Sequence, residues 1–406
     1  MLNKLQLIRL DILKKLSQKI VVKEYSLVSY GVFMLILFGS ILFLSILFLN
    51  TQLKLADTKT LEFKNKLSKI SSQLFVLQNE DQVKKNRNLE SEINNIHDNY
   101  KSLVSSYENL LDLKTKVKDT TDIDNLFAQS LSYLSDRNYS SASADIKLIN
   151  SLIQQQNDKL VTTFAIPANV VSSNTPPGAG FSVQTVKTDD GSFLVDIVAA
   201  DLNSTRVIVD TASDSDCSNN CPVMSLGDYA ARNGAFAGIN GSYFCPADYP
   251  SCSGKTNSYD LLVMNKNKHY FNSDNNVYST NPAVIFSGNS ARFVGQALDW
   301  GRDTSVDSVL SNYPLLVSGG QVAYSGGGDP KFAPKGPRDF IGVKGSTVYI
   351  GMISNASMGD AAKVLKALGL ESALNLDEGG STALWYGGYK AGPGRNIPNA
   401  ILFVHK

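Results

Sequence analysis

Hydrophobic and polar positions along this chain fall into three textures. From Ser26 to Leu49 the sequence reads SLVSYGVFMLILFGSILFLSILFL, and no charge interrupts the chain between Glu24 and Lys54. About 20 apolar residues in a helix cross a bilayer's hydrocarbon core, so this run predicts one transmembrane helix over 26–49 with room to tilt. A cleaved signal peptide would have a shorter apolar core followed by an A-x-A-like site, whereas Asn50–Leu55 reads NTQLKL.

The second texture is helical. Leu53, Ala56, Thr60, Phe63, Leu67, Ile70, Leu74 and Leu77 step by threes and fours, which is a heptad seam. A polar run, Gln78–Asn88, breaks the seam, which resumes at Leu89, Ile93, Ile96, Tyr100, Leu103, Tyr107 and Leu110. The break suits either a hairpin, whose arms pack within one chain, or a skip in one long helix, which needs a partner chain. Amphipathic stretches at Asp122–Leu134, opened by the capping pair Thr121-Asp122, and at Ser141–Leu160 complete a coiled-coil stalk over 53–160. Residues 161–180 have no period and end in Pro-Pro-Gly-Ala-Gly, the signature of an extended linker.

After Gly180 the chain turns to short β-branched and aromatic runs separated by Gly, Asn and Asp, such as SFLVDIVAADL, TRVIVDTA and DFIGVKGSTVYIGMI. These are strands of one large domain over 181–406, with helices expected near Ser225–Asn233 and Gly359–Leu368. The fold class is α+β, with a β-rich C-terminal domain behind one transmembrane helix and a helical stalk.

Charge then orients the molecule. Residues 1–180 hold 21 basic and 17 acidic groups and residues 181–406 hold 17 and 20, so neither half is strongly basic and no nucleic-acid partner is expected. Lys4, Arg9, Lys14, Lys15, Lys19 and Lys23 precede the span against Asp11 and Glu24 alone, which keeps residues 1–25 cytoplasmic and exports the C-terminal bulk. The first residues are also amphipathic enough to lie along the inner leaflet, although retention of a positive flank is the simpler account. All four cysteines, Cys217, Cys221, Cys245 and Cys252, fall on the exported side. An even count there reads as two disulfides. Pairing Cys217 with Cys221 and Cys245 with Cys252 is simplest, and sequence leaves the crossed pairings open. Zinc is disfavoured because CSNNC and CPADYPSC lack CxxC or His spacing.

Three constellations can carry chemistry. GINGSYF, Gly238–Phe244, puts Asn240, Ser242 and Tyr243 at a strand exit just before Cys245. A Gly/Pro/Lys loop from Ala323 runs through Lys335 and Arg338 into the strand DFIGV, and Arg338 offers a forked donor suited to phosphate or carboxylate oxygen. SALNLDEGGSTALWYGG, Ser372–Gly388, delivers Asp377 and Glu378 to a glycine turn, and two carboxylates closing an apolar strand are costly unless paired or used. Each motif alone also suits a purely structural turn, surface arginine or cap. His97 reads as a solvated helix residue, and His269 and His405 are too few for a Ser-His-Asp triad or a multi-histidine metal site. No phosphate-cradling GxxxxGK[ST] or GxGxxG element appears. Carboxylate acid/base chemistry supported by Arg, Asn and backbone donors is what is left.

In this order, GINGSYF, RDFIGV, NLDEGGST and the late RNIPNAI resemble the phosphodiester glycosidase family over about residues 181–406. The resemblance implies a pocket lined by Asn240 and Tyr243, with Ser242 where a third glycine is common. It implies that Arg338 binds a phosphate or sugar oxygen and that Asp377 with Gly379, Gly380, Ser381 and Thr382 forms the catalytic turn, which Arg395 closes. Glu378 stands where glycine usually follows the Asp and adds a second carboxylate. The expectation is a membrane-anchored, extracellular or periplasmic glycosidase acting on a sugar-1-phosphate diester, envelope glycan or exopolysaccharide. No cofactor is expected, a divalent cation at the carboxylates being left open, and the stalk offers a homo-oligomer contact. The rival expectation is a non-catalytic glycan-binding or scaffolding ectodomain on a stalk.

Overall fold

The computed structural model describes residues 2–272 and 280–406, with the side chains of residues 2–13, 16–30 and 81 outside the description. Most of the charged flank before the apolar run, Lys4, Arg9, Asp11, Lys19, Lys23 and Glu24, therefore lies outside the described side chains. The chain divides into two compact units, one ending at Ile93 and the other Asn94–Lys406.

The first unit is helical. Helix α1, Leu2–Gln78, contains the one stretch among the described residues that is long and apolar enough to cross a membrane, by length and composition. Its apolar side chains from Val32 to Leu49 are 44–73% exposed, the reverse of a water-facing surface. A helix satisfies its own backbone, which lets such a segment enter lipid. This apolar helix and the disulfides described below mark a secreted or membrane-anchored protein. Helix α2, Asp81–Lys114, starts after a short break at Asn79 and Glu80. The seam residues Leu67, Ile70, Leu74, Leu89 and Ile93 are all exposed. The two arms flanking the break thus do not bury their seams on one another, as a hairpin would.

In the second unit the seam does find cover. Leu103, Leu110 and Leu113 of α2 are buried, and the last two pack with Ile123 of α3 (Thr121–Ser135) and with Ile149 and Ile153 of α4 (Tyr139–Thr163). The Tyr107 and Phe127 rings lie 5.0 Å apart. Asn138 caps α4 by accepting from the Ser141 N–H at 3.3 Å. After α4, Val171 and Ser173 exchange backbone hydrogen bonds with Thr185, so the Pro-rich connection runs alongside the first strand.

The β-rich part holds three sheets whose strand pairs are all antiparallel. A seven-stranded sheet has the order Gly180–Thr188, Gly191–Asp201, Thr347–Ala356, Gly336–Lys344, Ser372–Asn375, Leu315–Ser318 and Gln321–Val322. A five-stranded sheet places Ala237–Asn240 between Leu384–Tyr386 and Asn399–His405. The third, also five-stranded, includes Val263–Met264, Ser308–Ser311 and Ala283–Ser287. One core, including Val198, Ile239, Phe271, Phe286, Ile341, Leu374 and Phe403, takes residues from all three. Helix α5, Leu226–Asn233, covers the outer face of the first five-stranded sheet through Leu226 and Tyr229. Helix α6, Met358–Ala367, opened by a Ser357–Asp360 capping box, covers the seven-stranded sheet through Ala361 and Leu365. Both helices fall where the sequence predicts them. With both faces covered, an inner strand such as Gly336–Lys344 is buried without alternation from Arg338 to Val343.

Candidate active site

The site forms where inner strands of the seven-stranded sheet and of the first five-stranded sheet end side by side. Strands that stop in the interior leave backbone donors and acceptors unpaired, and four buried asparagines take up that role. Asn240 donates from Nδ2 to the Asp377 carbonyl at 2.6 Å and accepts from the Ala383 N–H at 3.0 Å. Asn399 accepts from the Ser242 N–H at 2.9 Å, and its Nδ2 donates to Ser242 Oγ at 3.1 Å. Asn312 accepts from the Tyr243 N–H at 3.0 Å and donates to the Asn375 carbonyl at 2.8 Å. Asn375 in turn donates to Tyr243 Oη at 2.6 Å and to the Tyr313 carbonyl at 3.0 Å. The Asp377 N–H donates to the Gly241 carbonyl at 2.9 Å and ties the two strand ends directly.

On this frame sit the ionisable groups. Arg338, 4% exposed, pairs through Nη1 with Glu378 Oε1. Its Nε donates to the Ala356 carbonyl at 3.0 Å, and its Nη2 donates to the Lys331 carbonyl at 3.3 Å and to the Pro334 carbonyl. Those bonds engage four of the five guanidinium N–H groups, so Arg338 braces Glu378 and the preceding loop with one N–H to spare. Asp377 turns to other partners: its Oδ1 accepts the Glu378 N–H at 2.9 Å, and its side chain interacts with Ser381 and, electrostatically, with Arg395. The adjacent carboxylates therefore have separate surroundings, as expected for neighbours on an extended strand.

Burial dominates the protonation of this centre. It pushes Asp377 up to about 7, against the opposing pull of Ser381, the Glu378 N–H and Arg395. Glu378 is also raised by burial, with Arg338 pulling the other way. Tyr243 lies well above its usual range through burial and then the nearby carboxylates Glu378 and Asp377, so its hydroxyl stays neutral and can donate. The Tyr243, Tyr313 and Phe332 rings follow one another at 5.1 and 6.0 Å and give the site an aromatic wall.

The glycine turn lets the parts approach. A Cβ on Gly380 would lie 2.3 Å from Arg395 Nη2, and the Arg395 N–H donates to the Gly380 carbonyl at 2.8 Å. Gly379, Ser381 and Thr382 belong to the same turn, where Ser381 and Thr382 are buried. The structure thus brings together Asn240, Tyr243, Arg338, Asp377, Glu378, Ser381, Thr382 and Arg395, while Ser242 faces Asn399 and serves the frame. The disulfides are Cys217–Cys221 and Cys245–Cys252, the sequential pairing.

Sequence reasoning missed several residues. Asp339 is buried with no well-formed hydrogen bond to either oxygen, and burial raises it well above the carboxylate range beside Thr382 and Asn240. Its position next to Arg338 was the available signal. The helical segment contributes as well. Asp112 Oδ1 accepts from Tyr249 Oη at 2.6 Å and lies 3.6 Å from Arg395 Nη2, and Glu108 Oε1 accepts from the Ser251 N–H at 3.0 Å. No local pattern announces contacts between residues so far apart in sequence.

Residues 233–404 match the phosphodiester glycosidase family. No curated protein matches the chain by sequence. Among solved structures the chain is similar to the catalytic domain of zebrafish N-acetylglucosamine-1-phosphodiester α-N-acetylglucosaminidase, auto-inhibited by its pro-peptide. The two are 14% identical over 58% of this chain and 86% of that one, with a TM-score of 0.44. A hypothetical protein from Synechocystis is 14% identical over 57% of this chain, with a TM-score of 0.40, and the match spans 64% of that protein's length. The β-rich part of this chain carries a phosphodiester glycosidase family domain.

Proposed function

We propose that the chain is a membrane-anchored extracytoplasmic hydrolase that cleaves a glycosidic bond, in a sugar-1-phosphate diester or an envelope glycan. The observation that carries this reading is Asp377, a carboxyl held near neutrality by burial at the end of an inner strand, within a phosphodiester glycosidase family domain. A carboxyl with a pKa of about 7 can give a proton and take one back at physiological pH, which is what general acid/base catalysis needs. In the proposed step the C1–O bond breaks and the leaving oxygen takes the Asp377 proton. A water adds to C1 and returns its proton to the Asp377 carboxylate. Glu378, fixed by Arg338, and the neutral Tyr243 hydroxyl orient the sugar and its oxygens. The aromatic wall suits the apolar face of a sugar ring.

The remainder of the reading concerns delivery. The apolar helix anchors the chain with the N-terminus inside, as the basic residues before it favour. The exposed seam of the stalk supports pairing with a second copy. Incubating the full chain with sugar-1-phosphate diesters and envelope glycans and measuring released reducing sugar tests the activity. Release that disappears in Asp377→Asn is the expected result. A wild-type chain that binds these sugars without releasing any points instead to a glycan-binding ectodomain.

A further inference from the structure

Arg395 reaches the catalytic turn from outside it. Its N–H donates to the Gly380 carbonyl at 2.8 Å, and a Cβ on Gly380 would come within 2.3 Å of its Nη2 and 2.9 Å of its Cζ. Keeping a guanidinium in that place freezes a long, freely rotating side chain, which is unfavourable unless a further contact offsets it. Asp112 contributes little, since its carboxylate stands 3.6 Å from Nη2, beyond hydrogen-bond length, on a rim that water screens. The larger contact is the Tyr249 ring. The guanidinium carbon sits over that ring, 5.3 Å from its centre, at cation–π distance. Tyr249 is fixed in its turn. It lies in the loop that the Cys245–Cys252 disulfide closes, which starts two residues after Tyr243 of the aromatic wall. Within the loop the Tyr249 N–H donates to the Pro246 carbonyl at 3.2 Å, and the Tyr249 carbonyl accepts from the Cys252 N–H at 2.9 Å. Its hydroxyl donates to Asp112 Oδ1 at 2.6 Å, and Lys331 Nζ lies 5.3 Å from the ring centre. A chain of contacts therefore runs from the disulfide through Tyr249 and Arg395 to Gly380, three residues from Asp377.

We propose that Tyr249 is a positioning residue, through whose ring the disulfide-closed loop holds Arg395 against Gly380 and so fixes the turn that carries Asp377. The inference rests on the hydrolase reading only for what that turn does. The titratable and charged groups around Asp377 are Glu378 beside it with Arg338 behind, Asp339 on the strand Gly336–Lys344, Tyr243 beyond the strand Ala237–Asn240, and Arg395, which Asp112 of α2 faces in turn. The one in contact with Tyr249 is Arg395. Its positive charge pulls the Asp377 carboxyl down against the rise that burial causes, so an Arg395 that swings free leaves Asp377 holding its proton to a higher pH. General loosening of the fold has the opposite sign, because water let in to a buried carboxyl lowers its pKa.

Tyr249→Leu and Tyr249→Phe in the detergent-solubilised full chain test the proposal, with N-acetylglucosamine released from its 1-phosphate methyl diester as the measure of turnover. Tyr249→Leu, which removes the ring, is expected to lower kcat about tenfold with KM within about threefold, because it misplaces the reacting groups rather than the sugar. It should also move the alkaline fall in kcat upward by about half a pH unit. Tyr249→Phe keeps the ring and should stay within about twofold of wild type, with its pH profile unmoved. Tyr249→Leu with wild-type kcat and pH profile overturns the proposal. So does a loss of rate with an alkaline limb that stays put or moves down, which is loosening alone. A Tyr249→Phe as slow as Tyr249→Leu overturns it too, by giving the role to the hydroxyl. The same shift is read without turnover from unfolding temperature against pH, since the stability that protonated Asp377 contributes is lost as pH rises through its folded pKa. In a chain that hydrolyses nothing, that loss moving to higher pH in Tyr249→Leu sinks the hydrolase reading and leaves this one standing. Curves that do not move sink this one, whether or not the chain hydrolyses.

Discussion

The two sides of the site are built in opposite ways. On the β-rich side Asn240, Arg338, Asp339 and Asp377 are all at most 9% exposed, several are held by two or more hydrogen bonds, and burial raises every carboxyl there. On the helical side Glu108 accepts one hydrogen bond at the rim, and Asp112 accepts one and makes a partly exposed ion pair with Arg395. Groups fixed in a dry frame have their protonation set by the protein, whereas contacts at a wet rim are screened and can change partners. On the proposed reading, chemistry belongs to the first side and recognition to the second.

The sharpest way to break this comparison is Asp377→Asn. Loss of a general acid/base should lower the rate of sugar release by about 10²–10⁴-fold while the unfolding temperature stays level or rises, because a costly buried carboxyl is replaced by a neutral isostere. A rate within tenfold of wild type places the chemistry elsewhere. Next in size is Gly241→Ala, which attacks the frame rather than the chemistry. Its Cβ would lie 1.8 Å from Asn399 Oδ1 and 2.9 Å from the Asn399 carbonyl, and Asn399 cannot swing away without abandoning Ser242. A cost of about 3 kcal/mol is expected, seen as a fall of roughly 6–12 °C in the unfolding temperature. An unchanged temperature means that the asparagine frame is softer than its hydrogen bonds imply.

The same contrast explains what sequence could and could not reveal. Asn240, Tyr243, Arg338 and the LDEGGST turn were legible because each lies at the end of a strand whose apolar run is visible and whose turn chemistry is local. Asp339 was passed over because adjacent residues on a strand normally face opposite sides, and Arg338 had drawn attention to one side only. Glu108 and Asp112 were invisible for a different reason. They lie in an amphipathic helix whose charges read as a solvated face, and their partners Ser251, Tyr249 and Arg395 are more than a hundred residues away. The fold class and the helices α5 and α6 followed from period and capping signals. The way the helical segment divides, its seam exposed through Tyr100 and covered from Leu103 on, depends on α3 and α4 folding back, which no heptad count contains.

Stability against pH gives a further test of the buried side. In the unfolded chain Asp377 loses its proton near pH 4, and in the folded chain it keeps it up to about 7. Between those values the folded state binds more protons, so its contribution to stability is full below about pH 4 and is lost as pH rises through about 7. Asp339 and Glu378, also raised, act with the same sign. Unfolding temperatures measured from pH 4 to 8 should decline with pH in the wild type, and Asp377→Asn should decline less steeply over the same window. Parallel curves for the two proteins leave Asp377 with an ordinary carboxyl and remove the physical basis for its acid/base role.

The smallest expected effect comes from the rim, at Asp112→Asn. Asn keeps an oxygen that can accept from Tyr249 Oη but removes the charge that faces Arg395 at 3.6 Å. The two side chains of that ion pair are 18% and 31% exposed, so water screens it, and a pair of this kind is worth about 0.2–1 kcal/mol. The unfolding temperature should therefore fall by no more than a few degrees. Binding of N-acetylglucosamine 1-phosphate should move the other way and tighten by about two- to threefold, because removing the carboxylate beside Arg395 lowers the repulsion that a phosphate would meet there. The gain should shrink as salt is raised, since screening acts on the rim and barely on the buried side. Weaker phosphate binding in Asp112→Asn instead makes Asp112 a strut that the ligand needs. The helical side would then be part of the rigid frame, and the division between a fixed chemical side and an adaptable recognising side would fail.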